Sequence, residues 1–312
     1  MTDASRAAFV ETKEYRRFRE FCDACRRHRY IGLCYGPPGV GKTLSARHYA
    51  GWDRVEATNP YATFGDFLSD DVPGNGCVLY TATVVNSPRQ IEDDVARLFQ
   101  RMHQLVRQAI YTEAEPGIAA AQRKLKEEHE HLLLDHDWFS GPSERLRRAK
   151  AAVSKAILDR ADQDREARDP TDLLLVDEVD WLKTSGMEQL RAIFDGCGIG
   201  LVLIGMPGLE RRLARYAQLY SRIGFVHEFR PLGAPEVRTL LEGWRPRGVM
   251  LPDNLLADDD GVAAMIRVTG GNFRLLDRLL TQVGRILELN GLKLITREVV
   301  EAAREVLVIG TA

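Results

Sequence analysis

The chain has no run of about 18 apolar residues, so no transmembrane helix is expected. Its opening, MTDASRAAFVETKEYRRF, holds no apolar signal core. The expectation is a cytoplasmic protein with no membrane partner. A strong charge excess is also missing. The formal net charge is −2, so any surface for nucleic acid must be local. Cysteine is scarce, and five of them imply no disulfide framework in that compartment. Cys22 and Cys25 form one C-x-x-C without a second Cys or His pair at zinc spacing, so they read as helix positions one turn apart. His129, His131 and His136 lie in a charged helical stretch and read as solvated. Internal repeats and low-complexity tracts are absent.

What is present is ordinary globular material: 312 residues, 45% hydrophobic and 28% charged, enough for one large or two modest domains. Residues 5–29 read as a basic helix. From Lys13 to Arg29, seven Lys/Arg stand against three Asp/Glu, a local +4. Such a face is solvated, or meets DNA or a neighbouring subunit.

Five apolar runs follow: 30–35, 77–84, 173–177, 200–205 and 224–229. They read as buried strands, separated by helical periodicity or turn chemistry, which implies a doubly wound parallel α/β core. Residues 88–168 read as several helices, interrupted at Glu115-Pro116-Gly117 and Ser140-Gly141-Pro142. Part of this stretch, near 100–168, is a helical insertion on the sheet. Pro231, Gly233 and Pro235 mark a boundary, followed by helical stretches near 234–244, 258–269, 272–289 and 296–307. The expected organisation is a helical segment over 1–29, a core over 30–230 and an all-α domain over 231–312.

Chemistry enters at residues 36–43, Gly-Pro-Pro-Gly-Val-Gly-Lys-Thr, directly after the first apolar run. This is the phosphate-binding loop G-x-x-x-x-G-K-[ST] in its strand-to-helix context. Backbone N–H groups at a helix N-terminus cradle phosphate oxygens. Gly36, Gly39 and Gly41 let the backbone approach. Lys42 would reach the β- and γ-phosphates, and Thr43 would offer a hydroxyl to magnesium. Pro37, Pro38, Val40 and Leu44 complete the contact set. The ligand expected is a nucleoside triphosphate with Mg2+. A second motif ends the third apolar run at Asp177-Glu178. Asp177 would hold magnesium through a water, and Glu178 would orient the attacking water.

With the strand count and the helical C-terminal part, these motifs resemble the AAA+ ATPase superfamily over roughly residues 30–290. The resemblance implies ATP hydrolysis, a helical lid and three further positions. A polar residue at the end of strand four falls at Gly205-Met206; Met206 departs from the usual Asn or Thr, so a neighbour substitutes or the contact is lost. Arg222, before the last strand, matches an arginine reaching into the adjacent subunit's nucleotide, with Arg215 and Arg212 as alternatives. Arg274, after the N-cap Asn272, matches an arginine early in a lid helix.

The stretch 205–232, GMPGLERRLARYAQLYSRIGFVHEFRPL, with TGGNFRLLDRLL, looks like the ATPase subunits of DNA transposition systems of the MuB, TnsC and TniB type. That likeness implies an ATP-bound homo-oligomer, ring or helical filament, on duplex DNA with little sequence preference. It also implies recruitment of a DDE transposase at the target, with a target-selection adaptor, and hydrolysis-driven disassembly. A filament needs few phosphate contacts per subunit, which reconciles DNA binding with a net charge of −2. Arg89, Lys183 and Thr184 are the candidate contacts. Two other readings stay open: a protein-remodelling AAA+ ATPase, whose usual loop after strand two contains a glycine missing from 83–110, and a nucleotide-switch signalling ATPase.

Overall fold

The computed structural model describes residues 9–58, 76–134, 144–166, 171–244, 246, 249, 251 and 258–307. Its centre is a five-stranded parallel sheet: β1 Ile31–Tyr35, β2 Cys77–Thr81, β3 Leu173–Asp177, β4 Gly200–Gly205 and β5 Ile223–Glu228. The spatial order is β2-β3-β4-β1-β5. β1, β3 and β4 are interior strands, which is why they read as unbroken apolar runs. β2 ends three residues earlier than expected from 77–84. Thr81 pairs with Asp177, the last residue of β3, so the chain beyond Ala82 has no ladder to join. Val84 and Val85 are left exposed there.

Helix α1, Lys13–His28, packs its apolar stripe, Tyr15, Phe18, Phe21, Cys22 and Cys25, into the core of the sheet. It starts at Lys13, where Thr12 caps it: Thr12 Oγ1 accepts from the Tyr15 N–H at 3.1 Å; residues 5–8 of the expected helix lie outside the described residues. Cys22 and Cys25 act as small apolar groups, and burial pushes the Cys25 thiol up to about 12. Helices α2, Lys42–Tyr49, and α3, Trp52–Ala57, follow β1.

The insertion departs from the expected series of helices. Helix α4 runs unbroken from Pro88 to Leu134 with Pro116 inside it. At 1.5 Å per residue it is about 70 Å long. Proline removes one helical hydrogen bond at a cost of about 3 kcal/mol, and packing outweighs that loss. Helix α5, Glu144–Glu166, lies against α4: Arg107 pairs with Asp164, and the Arg160 guanidinium sits 4.6 Å from the Tyr111 ring centroid. Partner numbers fall on α5 as they rise on α4, so the two helices are antiparallel. The break expected at 140–142 lies outside the described residues. Helix α6, Thr184–Cys197, links β3 to β4, and the short helices α7, Leu209–Leu213, and α8, Ala217–Tyr220, lead into β5.

The last four helices build a second apolar core. They are α9 Ala234–Gly243, α10 Asp259–Thr269, α11 Phe273–Asn290 and α12 Arg297–Glu305. Leu276, Leu279, Leu280, Val283 and Leu287 recur at helical spacing on one face of α11 and are buried against the others. This core meets the sheet at a seam beside the loop after β1.

Candidate nucleotide-binding site

The loop leaves β1 at Tyr35 and turns into α2 through backbone that only glycine adopts cheaply. Gly39 and Gly41 have φ of 81° and 106°. Gly36 passes so close to the chain leaving β5 that an added Cβ would lie 2.2 Å from the Phe229 carbonyl oxygen. Lys42 is buried, and its Nζ donates to the carbonyls of Gly36 (2.6 Å) and Pro37 (2.8 Å). An ammonium has three donors, so one remains for a ligand oxygen. Burial lowers the Lys42 pKa, while Cys34 and the acids 177, 178 and 180 pull it back up.

The lid seam fixes the loop from the other side. The Arg274 N–H donates to the Gly39 carbonyl at 3.0 Å, and Asn272 Nδ2 donates to the Pro38 carbonyl at 2.8 Å. Asn272 also caps α11, its Oδ1 accepting from the Leu275 N–H at 3.2 Å. A Cβ on Gly39 would stand 2.6 Å from Asn272 Oδ1 and 2.8 Å from Arg274 Cβ. The Arg274 side chain is exposed, lines the cleft and has no hydrogen-bond partner among the described residues.

Opposite the loop, β3 delivers its two acids. Asp177 is 2% exposed and its Oδ2 has no hydrogen-bond partner among the described residues, while Oδ1 accepts from the Glu178 N–H at 2.9 Å. A buried, unpartnered carboxylate oxygen is expensive unless a cation or donor meets it. Together with the Thr43 hydroxyl on the same cleft wall, it fits a hard divalent cation. Glu178 has φ 56° and ψ 37°, a left-handed conformation that costs a non-glycine residue about 1–2 kcal/mol. That turn carries its side chain out of the sheet and into the cleft wall.

Asp180 is a site residue that motif reading missed. The end of β4 does lack a polar side chain, but the Met206 N–H donates to Asp180 Oδ2 at 2.7 Å. A Cβ on Gly205 would come within 2.6 Å of that oxygen. Asp180 thus occupies the place expected of a polar residue on strand four. Arg212 holds its loop by donating to the carbonyls of Asp180 and Leu182, so it is committed inside its own chain. Only the Asp-x-x-Asp spacing of 177 and 180 hints at this in the sequence.

Arg222 lies elsewhere. Its carbonyl accepts from the Ile31 N–H at the start of β1, whereas the loop begins after the end of that strand. Five residues of strand separate them by roughly 16 Å, so Arg222 does not line the cleft of its own chain. It forks onto Asp195, Nε to Oδ1 at 2.7 Å and Nη2 to Oδ2 at 3.0 Å, and also donates to the Gln218 carbonyl. Arg215 is exposed, and its side chain has no partner among the described residues. Of the DNA candidates, Arg89 in the first turn of α4 and Lys183 at the N-cap of α6 are exposed, and the Thr184 hydroxyl meets the Tyr216 hydroxyl at 3.0 Å.

A parallel sheet with a glycine loop, a buried lysine and two acids at its carboxyl ends defines a P-loop NTPase. The family whose profile matches residues 25–213 is described as AAA domain. The chain belongs to this family and has the AAA+ fold. It is 38% identical over 97% of its length, and 97% of the relative, to a protein of Staphylococcus aureus called a potential ATP-binding protein. It is 28% identical, over 41% of this chain and 43% of the relative, to the Mu-like prophage FluMu DNA transposition protein B of Haemophilus influenzae. Among solved structures, Cdc6p from Pyrobaculum aerophilum shares the fold with TM-score 0.51 at 13% identity, covering 98% of this chain and 70% of that one. No helix of the described residues is long and apolar enough to cross a membrane.

Proposed function

We propose that the chain is a magnesium-dependent ATPase that assembles on duplex DNA and regulates transposition. The observation that carries the ATPase reading is the cleft itself: Lys42, unpartnered Asp177 Oδ2, strained Glu178 and unpaired Arg274 line one cavity of about 660 Å³. Lys42 and the loop amides would bind the phosphates, and Arg274 would add charge from the lid. Thr43 and Asp177 would hold magnesium, which when bound neutralises charge on the β- and γ-phosphates. Glu178 would orient the water and accept its proton. Asp180 would fix the strand-four edge of the cleft. An adjoining cavity of about 700 Å³, lined by Phe9, Tyr15, His48, Phe229 and Trp244, would take the base. Residues 231–312 would act as the lid, because their helix α11 touches the loop directly.

Arg222 would act on a neighbouring subunit's nucleotide, since it cannot serve its own. The transposition reading is supported by the likeness to FluMu transposition protein B and by the wording of residues 205–232. In it, ATP holds an oligomer on DNA, the oligomer recruits a transposase, and hydrolysis releases it. Arg89, Lys183 and Thr184 are the proposed phosphate contacts, giving little sequence preference. A second reading, protein remodelling, draws on the exposed Val84 and Val85 after β2 and on the exposed Trp181 after β3.

Electron microscopy with a non-hydrolysable ATP analogue, with and without duplex DNA, tests the choice. A helical assembly that forms only with DNA is expected. A closed ring that ignores DNA and threads polypeptide would replace transposition by remodelling.

A further inference from the structure

The two cavities beside the loop share a waist. Gly41, Leu44, Arg47, Phe273 and Asp277 line both of them. With phosphates on the loop and the base in the aromatic cavity, the sugar of a nucleotide falls at this waist. Two of the five residues carry polar side chains. Arg47 is already consumed: its Nε donates to Asp53 Oδ1 at 2.8 Å and its NH2 reaches both Asp53 and Glu56. The Asp277 carboxylate has no hydrogen-bond partner among the described residues. Burial pushes the Asp277 carboxyl up, and Arg278 only partly counters that. A desolvated carboxylate of this kind is stabilised by hydroxyl or amide donors.

Position along α11 separates the roles. Arg274 and Asp277 are three residues apart, on one helix face and about 4.5 Å apart along the axis. Arg274 lines the phosphate cavity alone, whereas Asp277 also lines the aromatic one. A carboxylate against the phosphates would repel them; one turn further on it meets sugar hydroxyls, which are donors. We propose that Asp277 accepts hydrogen bonds from the ribose hydroxyls and selects ribonucleoside over deoxyribonucleoside triphosphates. This rests on the cleft being the ATP site.

Calorimetric binding of ATP, 2′-deoxy-ATP and 3′-deoxy-ATP to the full chain tests it, with Asp277→Ala and Asp277→Asn beside the wild type. The wild type should bind ATP about tenfold tighter than 2′-deoxy-ATP, the scale of one hydrogen bond to a charged group, with 3′-deoxy-ATP reporting on the second hydroxyl. In Asp277→Ala, ATP affinity should fall to that of the deoxy analogue while the analogue's affinity stays put. Equal wild-type affinity for ATP and 2′-deoxy-ATP would overturn the inference even if neither variant folded. So would discrimination that survives in both variants. A wild type that binds no triphosphate at all removes the ATP site itself, a result distinct from binding without discrimination.

Discussion

The phosphate cleft and the rim around Arg222 both carry arginines and carboxylates, but they are held by different forces. In the cleft, main chain does the holding: Gly39 and Pro38 carbonyls tie to α11, Lys42 ties to Gly36 and Pro37, and Asp177 is buried. On the rim, side chains do it. Arg222 and Asp195 are 33% and 34% exposed, and Arg191 shares Asp195 with Arg222. Exposed pairs are worth about 0–1 kcal/mol, so Arg222 can exchange partners cheaply. The cleft is therefore shaped before any ligand arrives, while the rim is free to re-pair with another acceptor.

The largest effect should come from the rim. Arg222→Ala is expected to leave ATP affinity unchanged and to lower turnover at high protein concentration by about 10³-fold, the lower range for an arginine acting in trans. Unchanged turnover in that variant would move the role to Arg215. Next, Glu178→Gln should bind ATP normally and hydrolyse it about 10²-fold more slowly, as loss of a water-positioning base implies. Turnover at the wild-type rate would take Glu178 out of the chemistry.

A smaller change tests the main-chain side. Gly39→Ala puts a Cβ against Asn272 and Arg274 in backbone of φ 81°, at a cost of about 1–3 kcal/mol. ATP affinity should fall about tenfold while the strands stay intact by circular dichroism. Full affinity would mean that the loop–lid seam does not shape the site.

The smallest effect contrasts the rim with a buried pair. Glu14 on α1 lies 3.3 Å from His227 on β5, both largely buried. Burial alone would raise the Glu14 carboxyl; His227, the Arg230 backbone and Arg17 outweigh it and hold the pKa below its ordinary 4.5. A depressed carboxyl contributes stability above its unfolded value and loses it as pH falls through the folded one. The melting-temperature gap between wild type and Glu14→Gln should therefore be widest above pH 4.5 and close below it. A gap independent of pH would assign Glu14 a packing role only.

How much of this was legible follows the same division. Interior strands announce themselves because both faces are buried, and an unbroken apolar run such as Leu173–Val176, bounded by turn and acid, has no other reading. The loop and the acids after β3 are legible because phosphate chemistry demands those residues at that spacing. Pro116 misleads because the cost of one lost hydrogen bond is local, while the packing of α4 on α5 that offsets it is not visible along the chain. Asp180 and Asp277 escape notice for a related reason. Each gains its place from a partner element distant in sequence, Met206 for the first and the waist residues Gly41 and Leu44 for the second. Thr12 shows a local signal that outranks periodicity, since its cap starts α1 at Lys13.

The most direct test of a cleft completed by a neighbour is a mixing assay. Glu178→Gln retains Arg222 but lacks the water-positioning acid; Arg222→Ala retains the acid but lacks the arginine. Titrating one into the other pairs an intact cleft with an intact arginine across the boundary. Turnover in the mixture should rise at least about tenfold above either variant alone, as partial recovery of the arginine's contribution. Turnover equal to the weighted sum of the two at every ratio would contradict a shared site.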